Sequence, residues 1–490
     1  MSQLTCPLRN IAIQDPKAIA CLSDVHGEIS YLQLDQAVAD YANELQQYGF
    51  NRGQRLAWQG QNSLALIIAI LACLRQGLII APLNHRLPLS RQQHLLRSIA
   101  ANGIICANGA DDAAGTNSTD DSAPHAQPDS IAIIPPPKLA NNISDTTPAQ
   151  PQRELELAAD APMDLIFTSG SSGTPKAVAH SLANHLASAA ASQQLIPLKR
   201  SDRWLLSLPL AHIGGMAILF RCLHAGATMV LAEQSDILDA ISRQQVTHLS
   251  LVSTQLYRLL EQADSDSLTH LKYLLLGGSA IDQSLLDRAK QHRLNCFTSY
   301  GMTEMSSQIC TGPAVGDNIV GQPLPETQLR LSDSGEVEVK GSTLALGYWR
   351  AGKLFPLGNA QGWFATGDIA KQTAQGIRLI GRKDNRFVCG GENIVPEQIE
   401  QLLLQHSEIE QAVIVAVADE EWGHCPIAYT NPLSPQQQQA LTKEIRHKLG
   451  SLWCPHGWLP LPAQPIDTKP DRQSLKQQAA TICLKRCSSR

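Results

Sequence analysis

Thr168 to Lys176 is a run of nine residues, TSGSSGTPK, built from glycine, hydroxyl-bearing side chains, one proline and one lysine. The apolar stretch Met163 to Phe167 leads into it and an alanine-rich stretch follows, a pattern that predicts strand, loop and helix in turn. Gly170 and Gly173 let backbone N–H groups approach an anion closely. The hydroxyls of Thr168, Ser169, Ser171, Ser172 and Thr174 can donate to it, and Lys176 adds positive charge. A polyphosphate is the ligand this composition suits. The loop is not a Walker A loop, whose GxxxxGK spacing differs from the GSSGTPK found here. The plain alternative is a flexible Gly/Ser linker, and the strand and helix patterns on either side speak against it.

Four further segments follow in order: SYGMTE from Ser299 to Glu304, TGD from Thr366 to Asp368, GRKD from Gly381 to Asp384, and GGENIVPEQIE from Gly390 to Glu400. Taken singly they are ambiguous. A carboxylate such as Asp368 can accept from both hydroxyls of a ribose, with Arg382 at hand for ribose and phosphate oxygens, but a Gly-Asp pair is ordinarily a turn. Glu304 suits Mg²⁺, which takes few carboxylates and keeps waters, but a single glutamate is ordinarily a solvated charge. Taken together, and in this order, the five segments resemble the signature motifs of the adenylate-forming superfamily of acyl-CoA ligases, luciferases and peptide-synthetase adenylation domains. Ser172 stands where that superfamily more often has threonine, and the hydroxyl is kept.

The resemblance implies an α/β fold in two parts. The large N-terminal AMP-binding domain, residues 1–381, has stacked β-sheets covered by helices; residues 382–384 form a hinge; residues 385–490 form a small, mobile α+β domain. It implies ATP, Mg²⁺ and CoA as cofactor and substrates, with ATP held by the phosphate loop and by Ser299, Tyr300, Gly301, Asp368 and Arg382. Tyr300 would face adenine or the acyl group, Thr303 would reach the α-phosphate, and Glu304 would serve the metal. His212, in LSLPLAHIGGM, falls where the superfamily places an aromatic or histidine residue beside the acid carboxylate; without the motif it reads as a buried core histidine. Gly214 and Gly215 are expected to leave room for substrate. Lys469, in DTKPDRQSLK, matches a lysine that bridges the attacking carboxylate and the α-phosphate, although Asp467 stands where a glycine is usual. Asp384 would be the pivot, and Gly390 and Gly391 would admit the pantetheine arm of CoA.

Within the superfamily, WLLSLPLAHIGG, SLVSTQLYRLL, LLLGGSAI, GYWR and DEEWGHCPIA are most similar to the 2-succinylbenzoate:CoA ligases of menaquinone biosynthesis. That resemblance implies adenylation of 2-succinylbenzoate followed by acyl transfer to CoA. It implies an acyl pocket between His212, a turn at Ser253, Thr254 and Gln255, and the segment Gly277, Gly278, Ser279 and Ala280. Cys425 departs from it, because an arginine is expected there, and some other cation would then have to grip the CoA phosphates. Another aryl or short-chain acid:CoA ligase, or an adenylation domain serving a carrier protein, would share every nucleotide motif. A silent ATP-binding regulator would be expected to have lost Lys469, Glu304 or Asp368, and all three are present.

These residues need a scaffold, and apolar runs mark it out. Leu64 to Leu74 predicts a buried helix and Leu78 to Ala81 a strand; RWLLSLPL, Thr228 to Ala232, His248 to Ser253 and Lys272 to Gly278 alternate with helical patterns, as parallel strands covered on both faces do. Residues 108–161 contain no Phe, Trp or Tyr and are rich in Asp, Ala, Ser, Thr and Pro, and much of this span reads as a low-complexity solvated insertion. Beyond Gly381, helices from Pro396 to Gln405, Pro435 to Leu449 and Ser474 to Leu484 and a strand from Ala412 to Ala418 make a smaller α+β unit.

Composition narrows the partners. With 39 Lys plus Arg against 44 Asp plus Glu the net charge is -5, which offers no cation excess to a nucleic acid or an anionic membrane. The twelve cysteines form no CxxC pair and read as small buried hydrophobes in a reducing, cytoplasmic protein. Cys454, His456, Cys483 and Cys487 lack zinc-knuckle spacing, and neither GxGxxG nor GxSxG occurs. The start of the chain has no secretory pattern and no apolar run is long enough to span a membrane. Small molecules are the expected partners, and a homo-oligomer is left open.

Overall fold

A computed structural model describes residues 2–107, 131–137, 154–168, 175–264, 267–278, 281–419, 421–462 and 471–487. Two large sheets dominate. In one, the strands Arg55–Gln59, Ile79–Leu83, Gly103–Cys106 and Ala132–Ile134 run parallel, and the antiparallel hairpin Pro162–Thr168 and Lys176–Ser181 extends the sheet toward Gly347–Arg350. The other is nine-stranded. In it Ile19–Ser23, Thr228–Leu231, Arg203–Leu205, His248–Leu251, Tyr273–Leu276 and Cys296–Met302 lie side by side and parallel, followed by antiparallel Ser307–Pro313.

The helices Leu64–Gln76 and Ile213–Ala225 sit between these sheets. Every residue from Leu66 to Leu74 is buried, and one continuous core joins Leu56, Trp58, Ile80 and Ile166 of the first sheet to Trp204, Met229, Leu231 and Leu275 of the second through both helices. A helix apolar all round has to be covered all round, and a two-sheet sandwich does so. Ser63 caps the first of them through the Leu66 N–H; Gly77 and Gly226 end the two helices in the left-handed conformation, where a side chain is disfavoured.

Two expectations change here. Part of the span 108–161 belongs to the core: Ala132–Ile134 pairs with Gly103–Cys106, Ile134 is 2% exposed, the Tyr41 hydroxyl donates to Pro135 O at 2.9 Å, and Leu157 is buried. Residues 108–130 and 138–153 lie outside the described residues. The phosphate loop is followed by a strand before its helix. Lys176–Ser181 pairs with Pro162–Thr168 and hands over directly to Leu182–Gln193 at Ser181, whose hydroxyl accepts from the Asn184 N–H.

A four-stranded antiparallel sheet, Thr327–Leu331, Glu336–Gly341, Phe364–Thr373 and Gly376–Arg382, carries the chain to residue 382. After it the strands Phe387–Cys389, Glu392–Ile394, Ala412–Asp419, Gly423–Thr430 and Gly457–Pro460 form one sheet, with the helices Pro396–Leu403, Pro435–Lys448 and Arg472–Cys487. Ile399, Leu403, Ile414, Ala428, Leu441 and Ile445 make a separate core for this last unit. Among the described residues no helix is long and apolar enough to cross a membrane. Cys6, Cys21, Cys73, Cys106, Cys222, Cys310, Cys389, Cys425 and Cys454 are free and buried, and Cys296 is free and half-buried.

Candidate active site

Parallel strands present all their carboxyl ends at one edge, and the candidate residues follow those ends. His212 comes after Arg203–Leu205, Ser253 to Gln255 after His248–Leu251, Gly277 after Tyr273–Leu276, and Tyr300 to Glu304 close Cys296–Met302. This edge is where open α/β sheets bind ligands. Of the phosphate loop, Thr168 and Lys176 are placed opposite each other as a strand pair. Ser169, Gly170, Ser171, Ser172, Gly173 and Thr174 lie outside the described residues, as do Ser279, Ala280 and Lys469.

The two large sheets meet at Glu304. Its carboxylate Oε1 accepts from the Tyr348 hydroxyl at 2.8 Å, and Tyr348 sits on Gly347–Arg350, in register with Val178 of the hairpin. The Lys176 ammonium lies 5.0 Å from the Tyr348 ring centroid, a cation–π contact. Glu304 is only 8% exposed and belongs to the 3-10 turn Thr303–Met305. A buried carboxylate with one oxygen hydrogen-bonded, beside the strand that carries Lys176, has the donor chemistry Mg²⁺ prefers.

The residues of the TGD and GRKD segments are bonded to one another. Asp368 Oδ2 accepts from the Tyr300 hydroxyl at 2.7 Å, and Oδ1 accepts from Arg382 Nη1 at 3.1 Å. Arg382 also donates to Asp384 from Nε and Nη2, each at 3.0 Å, so one guanidinium joins the TGD and GRKD segments. Although burial works against its charge, the bonds to Asp384 and Asp368 hold the Arg382 pKa above the ordinary arginine value. Gly367 is required for this contact: its φ is +77°, and a Cβ there would stand 2.7 Å from Arg382 Nη2. Tyr300 has its ring in the core and only its hydroxyl committed to the site. Burial, and then the Asp368 charge, raise its pKa well above the ordinary phenol value. Its hydroxyl thus acts as donor to Asp368.

His212 is exposed, and its side chain caps no N–H of the helix Ile213–Ala225, which it precedes. The segment before it is pinned by Asn62, which donates to Leu208 O at 2.9 Å and accepts from the Leu210 N–H at 2.8 Å. Desolvation, with Arg86 nearby, keeps the His212 pKa below the usual imidazole value. The exposed side chain of His212 sets aside the buried-histidine reading. Gly214 and Gly215 serve a different purpose from the one expected: a Cβ at Gly215 would lie 2.2 Å from Pro209 O, and one at Gly214 2.9 Å from Leu208 Cδ1. Their missing side chains admit the Leu208 side chain at Gly214 and the Leu208–Pro209 backbone at Gly215. Ser253 to Gln255 form the first turn of the helix Ser253–Gln262, not a free turn, and the Gln255 amide is committed to Ser207 O and the Val252 N–H.

The hinge segment is held in place. Lys383 bonds Glu336 at 2.6 Å, its N–H donates to Gly367 O at 2.7 Å, and Asn385 donates to Glu397. Arg472 pairs with Glu400 at 2.7 Å, tying the last helix to Pro396–Leu403; burial alone would lower its pKa, but Glu400, Glu397 and Asp384 raise it. Gly390 has φ +55°, and a Cβ there would press on the Trp422 ring at 2.7 Å; only Gly391, φ +87°, faces open space. Cys425 is 3% exposed inside Gly423–Thr430, packed in the core with Cys389 and Cys454, so the position points inward rather than to a ligand.

Arg221 escaped the sequence reading because it sits in the apolar run MAILFRCL. The structure buries it to 5% exposure, with its guanidinium 5.1 Å from the Trp204 ring centroid and Nη2 donating to Gln308 Oε1 at 2.6 Å. Gln308 is the register partner of Gly301, so this cation lies directly behind SYGMTE. Among the described residues no carboxylate pairs with it, and burial lowers its pKa to about 10.

Comparison with known proteins agrees with this geometry. The AMP-binding enzyme family profile matches residues 8–349, and that of the AMP-binding enzyme C-terminal domain matches residues 398–467. The chain is 33% identical over 462 residues to the 2-succinylbenzoate–CoA ligase of Salmonella typhimurium, covering 93% of this chain and 94% of that one. It is likewise 33% identical to the Escherichia coli ligase over 452 residues, covering 92% and 93%. Among solved structures, o-succinylbenzoate CoA synthetase (MenE) from Bacillus subtilis in complex with the acyl-adenylate intermediate OSB-AMP superposes with a TM-score of 0.81 at 26% identity, covering 98% of both chains. A variant of E. coli MenE with bound OSB-AMS gives 0.78 at 30% identity, covering 96% and 98%. The B. subtilis enzyme in complex with ATP and magnesium ion gives 0.81 at 25%, covering 97% and 99%.

Proposed function

Because the chain belongs to the AMP-binding enzyme family, we infer that it is an AMP-forming acid:CoA ligase that converts 2-succinylbenzoate, ATP and CoA into the acyl-CoA, AMP and pyrophosphate, a step of menaquinone biosynthesis. The observation that carries this reading is the match to 2-succinylbenzoate–CoA ligases along more than nine-tenths of both chains. The cytoplasm, where ATP and CoA are available, is the compartment this function requires.

The reaction divides into two displacements. In the first, the succinyl carboxylate oxygen attacks the α-phosphorus of ATP; the bond to the bridging oxygen of pyrophosphate breaks and a mixed anhydride forms. A carboxylate is a poor acyl donor, and the anhydride provides a leaving group. Thr168, Lys176 and the seven residues between them are proposed to hold the phosphates, and Asp368, oriented by Tyr300 and Arg382, to accept from the ribose hydroxyls. Bound at Glu304, Mg²⁺ would supply neutralising charge to the phosphate oxygens. Lys469 is proposed to offset charge on the attacking and departing oxygens, and His212 to orient the acid. In the second displacement the CoA thiol attacks the acyl carbonyl, AMP leaves and the thiol proton is released. Residues 385–490 are proposed to turn about Asp384 between the two, withdrawing Lys469 and bringing the Gly391 segment to the pantetheine path.

The substrate has a ring carboxylate besides the one that reacts, and Arg221 is a buried cation that no carboxylate among the described residues neutralises. A buried charge is stable only when compensated, so an acidic ligand is the natural complement. Arg221→Met is expected to raise the KM for 2-succinylbenzoate by about 10-fold or more while leaving that for 4-oxo-4-phenylbutanoate, which lacks the ring carboxylate, nearly unchanged. Equal losses on both acids would remove Arg221 from the acyl pocket.

A further inference from the structure

Behind the nucleotide motifs lies a cluster of titratable residues that the two displacements leave unused. Asp164, His180 and His185 come from Pro162–Thr168, Lys176–Ser181 and Leu182–Gln193, and none is more than 1% exposed. Asp164 Oδ1 lies 2.7 Å from His180 Nδ1, and Oδ2 lies 2.6 Å from His185 Nε2. The far nitrogen of His180, Nε2, lies 2.8 Å from the carbonyl oxygen of Thr303, the residue that opens the turn carrying Glu304.

With Asp164 ionised, the hydrogen bonds set the protons on the two rings. A carboxylate and a backbone carbonyl can only accept, so both ring nitrogens of His180 must donate, and a ring with two N–H groups is an imidazolium. His185 differs. Its Nε2 donates to Asp164, its buried Nδ1 has no hydrogen-bond partner among the described residues, as suits a neutral ring, and the ring stacks on Phe220 with centroids 4.4 Å apart. The three therefore sum to zero charge, which makes the buried cation affordable. The groups facing His180 are Asp164 on the neighbouring strand, His185 on the following helix and Glu304 on the turn. Burial lowers its pKa, but Asp164, the Thr303 bond and Glu304 outweigh that and raise it; burial outweighs Asp164 at His185 and lowers it. The ligand atoms of the triad also lie within 4.8 Å of one another, a spacing a metal could use, but the two His–Asp separations are direct hydrogen-bond lengths.

We propose that the Asp164–His180 ion pair is a positioning device for adenylation: the imidazolium holds the Thr303 carbonyl and so fixes the Thr303–Glu304 turn against the strand that begins with Lys176. The inference rests on the adenylation reading above. Its signature is a pH limb, since once His180 loses its proton one of its two acceptors is left without a donor, and the turn is released as pH rises.

The test uses the full chain and measures acyl-adenylate formation and, separately, thioester formation from supplied acyl-adenylate, across pH. In His180→Leu the adenylation kcat is expected to fall about 10-fold or more with the ATP KM little changed, and the second half-reaction to stay near wild type. His180→Gln keeps a donor toward Thr303, and the double variant Asp164→Asn with His180→Gln restores neutrality should the single variants fail to fold; either should keep most of the rate and lose the alkaline limb. Nitrogen-15 histidine spectra should show one imidazolium persisting above the usual histidine range and absent from His180→Gln. Unchanged adenylation kcat and pH profile in a folded variant, a neutral His180 at pH 7, parallel loss of both half-reactions, or stoichiometric metal that leaves on His180→Gln would each overturn the proposal. A wild-type enzyme unable to form acyl-adenylate would overturn the function itself, whereas an active wild type with an insensitive variant overturns only this role.

Discussion

At the scale of single residues, the site is made by pairs that lie far apart in the chain. Tyr300 finds Asp368, Tyr348 finds Glu304, and Arg382 bridges Asp368 and Asp384. His212 stands apart from them, exposed and without a capping role, so its loss should spare the fold. His212→Ala is expected to raise the acid's KM or lower kcat without weakening ATP binding in proportion; steady-state kinetics with each substrate varied checks this, and an equal loss of ATP affinity would make His212 a structural residue. Asp164 gives a pH-dependent outcome. Burial would raise its pKa, but the two histidines bring it down to about 2, below the ordinary aspartate value of roughly 3.9. A folded-state pKa below the unfolded one contributes stability above the unfolded value, and that contribution disappears as pH falls through the folded value. The Tm gap between wild type and Asp164→Asn should therefore be wide at pH 6 and close between about pH 4 and 2. A gap that does not vary with pH would mean that Asp164 acts through packing alone.

At the scale of elements, the Thr303–Met305 turn and the segment proposed as the hinge are each tightly bonded. Gly301 leaves no slack in the turn, since a Cβ there would stand 1.8 Å from Ser307 O. The segment proposed as the hinge is bonded on both sides, by Arg382 to Asp384 and by Asn385 to Glu397, so the proposed rotation has to exchange these contacts for others. Lys469→Ala is expected to slow adenylation by about 10²-fold or more yet still make thioester from supplied acyl-adenylate, the scale of removing one charge-stabilising donor. Asp384→Pro is expected to do the reverse, because proline fixes φ at the pivot. Asp384→Ala, which removes the Arg382 bond but keeps torsional freedom, serves as the control. Rapid-quench measurement of both half-reactions checks all three, and parallel loss of the two activities in Lys469→Ala or Asp384→Pro would contradict an alternating domain.

At the scale of the whole molecule, what could be read in advance was what lies close together in sequence. TSGSSGTPK, SYGMTE, TGD and GRKD each place their chemistry within a few residues, and the apolar runs at 64–74, 228–232 and 272–278 mark a buried helix and parallel strands. What escaped was relational. The strand Lys176–Ser181 was hidden because KAVAHS runs without a break into an alanine-rich helix, and only pairing with Pro162–Thr168 makes it a strand. Ala132–Ile134 was lost in a polar span because a short edge strand carries little pattern. Arg221 lay inside an apolar helix, Asp164 met His180 and His185 only after folding, and Gly214 and Gly215 looked open because nothing in the sequence tells that Leu208 and Pro209 fold back onto them.

The central claim is that this scaffold adenylates 2-succinylbenzoate and passes the acyl group to CoA. Quantifying every product after purified enzyme meets 2-succinylbenzoate, ATP, Mg²⁺ and CoA tests it most directly. AMP, pyrophosphate and 2-succinylbenzoyl-CoA should appear in equal amounts, with long-chain fatty acids and benzoate turning over far more slowly. ADP with phosphate as the nucleotide products would contradict the adenylate mechanism, and equal rates with benzoate or a fatty acid would contradict the substrate.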